Sequence, residues 1–366
     1  MLRGLSWRNF DFLLLGAVVL ASAFGVAMIR SAIAGNEELL LYPTRQTYFV
    51  LVGLVVIFVL AGIDYRYWLS IHWPIYIVMM GFLISLSGLG QAAFGAQRWF
   101  QVGVLFLQPT EFAKIVIILI LARYFEKSQF EPRDWKWLAK SLAWTWGLLI
   151  WILLQPNLSN VIVTMVIWFF MVWMNRLELK TLFWMGISAV IGGIAAFPFL
   201  EEYQRQRVFN FLFPDPNASY GAIYNVQQAL IAIGSGGLFG KGYGHGTQTQ
   251  LRFMKVRHTD FIFSAISEEF GMIGSILVIL TIGFIVWRCI RTAQKSRDVA
   301  GSMIALGVAT LLFFQGSANL AMNMNLIPVS GLPLPFFSYG GSGLMSLMVC
   351  IGLVESVAMR HKPMEY

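Results

Sequence analysis

Charged residues are scarce in this sequence, and their scarcity excludes an ordinary soluble fold. Only 12% of the 366 residues are Asp, Glu, Lys or Arg, whereas 58% are hydrophobic. Soluble domains carry roughly 25% charged residues. A soluble chain of this length could not hide so much apolar surface from water, so lipid is the predicted solvent for most of it.

Cysteine and histidine are also rare. The two cysteines, Cys289 and Cys350, lie beside or within apolar runs, and the four histidines are scattered without the spacing of metal ligands. These numbers exclude a disulfide framework and a zinc cluster. We interpret both cysteines as packing residues and predict no metal site.

The net charge is nevertheless +8. In a soluble protein this charge would favour nucleic acid as a partner, but here Lys and Arg cluster at the ends of apolar runs. When the N-terminus is placed in the cytoplasm, the short outside loops hold only Arg30, Arg45 and Arg98. The positive-inside rule therefore predicts a multi-pass protein of the cytoplasmic membrane with both termini cytoplasmic, and no nucleic acid partner.

Ten stretches are predicted to span the bilayer, whose core of about 30 Å needs about 20 apolar residues per helix. The predicted spans are 11–29, 46–63, 72–90, 108–123, 140–154, 158–174, 181–199, 261–287, 300–325 and 341–359. The small residues Ala21-Ser22-Ala23 would also fit a signal-peptide cleavage site, but the apolar run continues to Ile29 and favours an uncleaved helix. We predict an all-α integral membrane protein of about ten transmembrane helices, in which residues 1–366 form a single polytopic domain.

One loop is far longer than the rest. Residues 200–260 form an extracytoplasmic loop between spans 7 and 8, with a turn signal at Pro214–Asn217 and a glycine-rich stretch at Gly234–Gly242. We expect this loop to be partly helical and folded back on the membrane, because long loops without structure are uncommon. Its basic residues fit either lipid headgroups or a pyrophosphate-bearing substrate: Arg205, Arg207, Lys241, Arg252, Lys255 and Arg257.

Charged side chains within the predicted spans need a partner or water, because each costs about 2.5–3.5 kcal/mol to insert. Glu111 and Lys114 are three residues apart and share one helix face. They form either a structural ion pair or part of a polar cavity. Glu268 and Glu269 also interrupt a span, and we interpret them as structural hydrogen-bonding groups inside the helix bundle.

Asp260 stands where the long loop enters an apolar helix, in His258-Thr259-Asp260-Phe261. A lone Asp at this position most often caps a helix. In a partly desolvated place its pKa would also rise, which suits a general base.

The last outside loop, Pro328–Ser342, holds three prolines and several glycines among apolar residues. This composition indicates a re-entrant segment, because non-helical backbone at membrane depth is tolerated only where it is buried in protein or lines a cavity.

Eight stretches in order resemble signature segments of the SEDS family, and they extend over most of the chain. They are Gly95–Phe100, Gln108–Lys114, Gln155-Pro156, Tyr203–Val208, Gly234–Gly242, His245–Gln248, His258–Phe263 and Pro333–Ser342. Two of them, Tyr203–Val208 and His258–Phe263, look like the elongation branch of the family. The chain departs at Asn157, where the family pattern has Asp, and at Thr110, which replaces a serine.

This resemblance implies a peptidoglycan glycosyltransferase that polymerises lipid II at the outer face of the membrane, together with a class B penicillin-binding protein and the elongation machinery. It implies that Asp260 is catalytic and that Glu111 and Lys114 are important. The other expected substrate-binding or site-supporting residues are Arg98, Gln108, Arg207, Lys241, His258, Thr259 and Ser338. No cofactor is predicted, and a divalent cation on the diphosphate stays open.

The chemistry implied by the resemblance is an inverting displacement, because the donor sugar is α-linked to its diphosphate and the product linkage is β. It requires a base for the acceptor hydroxyl, expected to be Asp260, and stabilisation of the leaving diphosphate, for which Arg98, Lys114 and Lys241 are candidates. Two rivals remain at this point. One is a lipid II flippase, and the other is a non-catalytic scaffold for a transpeptidase.

Overall fold

A computed structural model describes residues 7–89, 91–93, 96–102, 105–175, 177–214, 221–254 and 256–360. The described chain is almost entirely helical. Its helices are α1 (Phe12–Ala32), α2 (Tyr42–Gly62), α3 (Tyr65–Ser70), α4 (His72–Leu89), α5 (Pro109–Lys127), α6 (Trp135–Leu153), α7 (Leu158–Trp173), α8 (Leu179–Ala196), α9 (Glu202–Leu212), α10 (Gly221–Ser235), α11 (Thr247–Gln250), α12 (Ile262–Lys295), α13 (Val299–Asn323) and α14 (Gly341–Ala358).

Every one of the ten predicted spans coincides with a helix, namely α1, α2, α4–α8 and α12–α14. In the described part of the chain, six helices are long and apolar enough to cross a membrane by themselves: α1, α2, α8, α12, α13 and α14. The helices α4 and α7 have shorter apolar stretches. The predicted class, an all-α multi-pass membrane protein, is confirmed.

The sequence marks several helix starts with an aspartate. Asp11, Asp64, Asp134 and Asp298 are the N-cap residues of α1, α3, α6 and α13, and each side chain accepts a backbone N–H of the first turn. An N-cap carboxylate satisfies an otherwise unpaired donor and opposes the positive end of the helix dipole. These caps define the residues at which the four helices begin.

The helix α13 lies at the centre of the bundle, where it contacts α5, α7, α12 and α14. About three-quarters of its most apolar stretch (72%) is buried inside the protein, compared with 28% for α2. A polar residue on α13 is therefore placed among protein groups, whereas most of α2 faces outward. Polar side chains on α13 can therefore form hydrogen bonds inside the protein, away from lipid.

Three short antiparallel strands follow α4, and the sequence analysis did not predict them. They are β1 (Gln91–Ala93), β2 (Ala96–Val102) and β3 (Leu105–Leu107), joined in the order β1-β2-β3. Ala92 pairs with Gln97, and Gln101 pairs with Phe106. The strands β1 and β3 have three residues each, which are too few to show a period-2 pattern.

The long loop is partly helical, as predicted, since it contains α9, α10 and α11. The helix α9 begins with a capping box, in which the Glu201 and Gln204 side chains each bond the other residue's backbone N–H. The helix α10 packs against α12 and α13. Most of the predicted turn at Pro214–Asn217 lies outside the described residues.

The predicted span 261–287 is a broken helix rather than a continuous one. Gly271 within α12 has φ 65° and ψ −160°, a conformation that residues other than glycine avoid. The freed backbone groups bond to the glycine-rich loop, because Lys241 N donates to Glu268 O (3.0 Å) and Met272 N donates to Gly237 O (2.8 Å). A break at membrane depth is tolerated when neighbouring protein satisfies the backbone in this way.

The segment between α13 and α14 has the character predicted for a re-entrant loop. Its backbone is non-helical over 327–335, and Leu334, Phe336 and Phe337 are buried. The side chain of Gln46 on α2 clamps its end, because Gln46 Nε2 donates to Ser338 O (3.1 Å) and Gln46 Oε1 accepts from Gly340 N (3.3 Å).

Candidate active site

Asp260 lies immediately before α12, and its main chain is held from α13. The Asp260 carbonyl accepts hydrogen bonds from Asn319 Nδ2 (2.8 Å) and Asn323 Nδ2 (3.0 Å). Because two donors bind the Asp260 carbonyl, they fix the orientation of the Asp260 backbone and therefore constrain the direction of its side chain. Asp260 does not cap α12, whose N-cap is Phe261 without a side-chain cap bond. The capping interpretation of Asp260 is therefore wrong.

The carboxylate of Asp260 is partly buried beside a guanidinium. A Cβ built on Gly331 would lie 3.7 Å from Asp260 Oδ2 and 4.0 Å from Arg207 Nη1, so both groups border the same small space. Burial raises the pKa of Asp260 to about 6, and the positive charge of Arg207 opposes that rise. A carboxyl with this pKa is mostly ionised at neutral pH and still basic enough to accept a proton.

The helix α9 carries Arg207 to this place through contacts with the loop before α7. Tyr203 Oη and Gln204 Nε2 (3.2 Å) both donate to the Pro156 carbonyl. Arg207 Nη1 then donates to Val329 O (3.2 Å), and the guanidinium lies 5.6 Å from the centre of the Tyr203 ring. The Tyr203–Val208 and Gln155-Pro156 stretches therefore act as one positioning unit.

Thr259 and Ser338 join the Asp260 loop to the segment between α13 and α14. Ser338 Oγ donates to Thr259 O (2.7 Å) and accepts from Leu334 N (2.8 Å). The Tyr339 backbone N–H donates to His258 O (3.0 Å). Thr259, Ser338 and His258 were predicted to belong to the site, and the structure brings them together beside Asp260, where they are joined through backbone hydrogen bonds.

His258 belongs to an aromatic cluster. Its ring lies 5.5 Å from that of Tyr42 and 6.0 Å from that of Tyr339, and the two tyrosines stack at 4.2 Å. Burial, followed by the charge of Arg257, lowers the pKa of His258 to about 4. His258 is therefore neutral at physiological pH and is not a charged partner for an anion.

A ladder of three amides on α13 connects the parts of the site, and the sequence analysis missed it. Gln315, Asn319 and Asn323 are spaced by four residues on one helix face, and all three are fully buried. Gln315 Nε2 donates to Pro333 O (3.1 Å), and Asn319 Nδ2 donates to Leu332 O (2.7 Å) as well as to Asp260 O. The available signal was polar residues recurring every fourth position within an apolar span.

Glu111 and Lys114 form a buried ion pair at the start of α5. Lys114 Nζ lies 2.8 Å from Glu111 Oε2, and it reaches Gln315 Oε1 at 3.5 Å. The pair thus meets the same amide ladder that holds Asp260. Gln108 is the N-cap residue of α5 and makes no side-chain cap bond. The structural ion pair, one of the two alternatives predicted for these residues, is confirmed.

Lys241 lies in a second polar cluster. Its Nζ donates to Glu268 Oε1 (2.9 Å) and to Thr247 Oγ1 (2.7 Å). Glu268 also accepts the backbone N–H groups of Gln248 (2.8 Å) and Thr249 (3.0 Å). The structural role predicted for Glu268 and Glu269 is confirmed, since Glu269 accepts from Ser31 Oγ and from Gly244 N (3.1 Å).

Two further predicted features can be placed only in part. The backbone of Arg98 belongs to β2, but its side chain lies outside the described residues. Asn157, where an aspartate was expected, is the buried N-cap residue of α7, and its Nδ2 has no hydrogen-bond partner among the described residues. In the described chain no three His, Cys, Asp or Glu residues are grouped as metal ligands.

The fold and the site define a multi-pass membrane protein that presents a carboxylate and a guanidinium at one end of its helix bundle. The chain belongs to the cell cycle protein family of FtsW, RodA and SpoVE, whose model matches residues 4–363. The resemblance drawn from the sequence is thereby confirmed.

Individual relatives cover nearly the whole chain. Peptidoglycan glycosyltransferase MrdB from Escherichia coli is 34% identical over 319 residues, which are 86% of this chain and 84% of that protein. Stage V sporulation protein E from Bacillus subtilis is 30% identical and covers 95% and 96% of the two chains.

Two solved structures share the fold. A peptidoglycan synthase complex, whose structure concerns the coordination of polymerization and crosslinking, contains a chain that aligns with a TM-score of 0.81 at 28% identity, over 96% of this chain and 98% of its counterpart. The Rod shape determining protein RodA of Thermus thermophilus aligns with a TM-score of 0.73 at 28% identity, over 98% and 99%.

Proposed function

We propose that this chain is a peptidoglycan glycosyltransferase that polymerises lipid II into glycan strands during cell elongation. Family membership supports this, because relatives covering most of the chain carry that activity in their names. The observation that carries the proposal is the approach of Asp260 and Arg207 to each other beside Gly331, where both side chains come within about 4 Å of the same point. A base and a cation side by side are what an inverting transfer from a diphosphate requires.

In the proposed reaction, the 4-hydroxyl of the acceptor sugar attacks C1 of the donor sugar. Asp260 takes the proton from that hydroxyl as the new bond forms. The bond between C1 and the diphosphate breaks, and undecaprenyl diphosphate leaves with the electron pair. Arg207 stabilises the negative charge on the leaving diphosphate. Because the pKa of Asp260 is about 6, the rate should fall as the pH drops below 6 and the base becomes protonated.

The other polar groups of the site position Asp260 and Arg207 or extend the network around them. The amides of α13 hold the Asp260 backbone and the segment containing Gly331. Glu111 and Lys114 extend this network on the α5 side, where Lys114 brings a positive charge into the bundle. Arg98 and Lys241 stay candidates for contacting the diphosphate, and a divalent cation on it stays open.

We place both termini in the cytoplasm and the active site at the outer face. The Lys and Arg residues concentrate in the short loops at the end of the bundle away from Asp260, which supports this orientation. Residues 200–260 are then extracytoplasmic within a single polytopic domain. The proposed partner is a class B penicillin-binding protein of the elongation machinery, supported by the alignment with a synthase complex that polymerises and crosslinks.

The test is glycan polymerisation from purified lipid II by the reconstituted protein with its cognate penicillin-binding protein. Wild type should make polymer, and Asp260→Ala should make none while folding normally. Lipid II translocation without polymer formation would show that the protein is a lipid II flippase and not a glycan polymerase. A wild-type yield of polymer from the Asp260→Ala variant would show that Asp260 has no role in the reaction.

A further inference from the structure

A basic cleft lies at the end of the bundle opposite to Asp260. Its volume is about 400 Å³, between the start of α1 and the end of α12. Arg288, Arg291 and Lys295 lie in the last turns of α12, whereas Asp260 precedes the first residue of that helix. Four cationic side chains line it: Arg8, Arg288, Arg291 and Lys295.

The charges in this cleft are not balanced by the carboxylates around it. Asp11 pairs with Arg288, whose Nε lies 2.7 Å from Asp11 Oδ2. Glu355 on α14 is fully buried behind Asp11 and accepts the Asp11 backbone N–H (2.9 Å). Even with both carboxylates ionised, the lining keeps two uncompensated positive charges. Arg8, Arg291 and Lys295 are exposed and have no carboxylate partner among the described residues.

The surroundings of the cleft place it at a lipid interface. Phe12 and Leu13 form part of its lining, and both are more than 60% exposed on the outer surface of α1. Trp287 on α12 is half exposed, and the Arg291 guanidinium lies 5.5 Å from the centre of its ring. A tryptophan with a neighbouring arginine is typical of the headgroup level of a bilayer. A cationic cleft with an apolar outer wall fits a molecule with a phosphate and acyl chains.

We propose that this cleft binds the headgroup of an anionic phospholipid, with its phosphodiester at Arg8, Arg291 and Lys295 and its acyl chains along Phe12, Leu13 and Trp287. Basic pockets between membrane helices recognise lipid phosphates in this manner. The salt bridge between Asp11 and Arg288 forms the floor of the site and holds α1 against α12. Only the identity of the leaflet, the inner one, rests on the proposed orientation.

The positive-inside rule offers a competing explanation, since any loop on that side is rich in Lys and Arg. A matched control separates the two. Lys136, Lys140 and Lys180 are exposed residues of α6 and α8, are assigned to the same side of the membrane, and do not line the cleft. Removing three charges there changes the net charge of that side equally.

The experiment measures phosphatidylglycerol binding to the purified full-length protein by native mass spectrometry, with phosphatidylcholine as the neutral comparison. We expect the triple variant Arg8→Gln, Arg291→Gln, Lys295→Gln to bind phosphatidylglycerol at least tenfold more weakly than wild type, because each cation near a lipid contributes roughly fivefold. The variant Lys136→Gln, Lys140→Gln, Lys180→Gln should bind within twofold of wild type.

Equal losses in the two triple variants would overturn the proposal in favour of unspecific charge attraction. Complete displacement of phosphatidylglycerol by millimolar glycerol 3-phosphate would overturn the lipid assignment in favour of a soluble phosphate ligand. Should the triple variant not fold, Arg291→Glu alone tests the same site and should lose the preference over phosphatidylcholine. The assay uses detergent and no lipid II, so its result is independent of orientation and of polymerase activity.

Discussion

Two carboxylates eight residues apart, Asp260 and Glu268, have opposite surroundings. Glu268 is fully buried and accepts hydrogen bonds from Lys241, from both the backbone and hydroxyl of Thr249, and from Thr247 and Gln248. Asp260 is half-buried, and none of the residues that the structure describes donates a hydrogen bond to its carboxylate, although Arg207 is near.

This difference is what we expect between a structural carboxylate and the proposed catalytic base. A carboxylate with every lone pair occupied has no capacity left for a substrate proton, and its donors favour the charged form. A carboxylate that is desolvated and has no hydrogen-bond donors keeps its basicity. Position in the chain does not distinguish the two, since both follow the long loop near the start of α12. The hydrogen-bond donors around each carboxylate distinguish the two.

The sharpest test of this comparison is the isosteric change Asp260→Asn. It should lower the polymerisation rate by at least about 100-fold, because a general base contributes roughly 10²–10⁴. The melting temperature should not fall, since no described residue donates to the side chain. Turnover in the lipid II assay and a thermal shift in the same detergent provide the two measurements. Retained turnover would mean that another group takes the proton.

The matching change at the other carboxylate is Glu268→Gln. An amide cannot accept all five hydrogen bonds, and it leaves the Lys241 ammonium without its counter-charge. We expect a loss of about 3 kcal/mol in the free energy of unfolding, the cost of breaking a pair whose carboxylate is fully buried, seen as a lower melting temperature. Glu126→Gln, which removes a half-exposed pair with Arg123, is the control and should cost less than 1 kcal/mol. A small effect of Glu268→Gln would contradict the structural role.

Much of this arrangement could be predicted from the sequence, because apolar length alone locates helices. The ten spans and the helical content of the long loop followed from runs of apolar residues, whereas the role expected for Asp260 came from the family resemblance. The break at Gly271 could not, because a glycine inside an apolar run is compatible with a continuous helix. Only the contact with the Gly237–Gly242 loop, 30 residues away, makes the break favourable.

The amide ladder of α13 could not be predicted from the sequence for a related reason. Asn319 and Asn323 carry no charge, so they interrupt the apolar run of α13 less visibly than Glu111 or Asp260 do. Their partners are backbone carbonyls in the Asp260 loop and in the segment before α14, which a sequence does not display. The roles of polar groups that bond to backbone are set by tertiary contacts rather than by their neighbours in the chain.

The ladder provides a test of intermediate size. Asn319→Ala removes one donor to Asp260 O and the donor to Leu332 O, which leaves the base less firmly oriented. We expect kcat to fall about tenfold at an unchanged KM, because misplacement of a reacting group lowers the rate steeply. Thr310→Val on the same helix removes a hydroxyl whose one hydrogen-bond partner among the described residues is Leu306 O, and it should leave kcat within twofold. Equal effects of the two variants would make Asn319 a packing residue.

The smallest effect, and the one that reports on Asp260 most directly, is the pH dependence of stability. The pKa of Asp260 is raised from 3.8 to about 6 in the folded protein, so the folded state binds this proton more tightly than the unfolded state does. Between pH 4 and pH 6 the ionisation of Asp260 therefore lowers the stability of wild type as the pH rises, and the loss is complete above pH 6. Asp260→Asn has no such proton. Its melting temperature should exceed that of wild type at pH 8 by a few degrees, and the gap should close at pH 4. A gap that stays constant with pH would show that Asp260 has an ordinary pKa, and the contrast with Glu268 would then rest on hydrogen bonding alone.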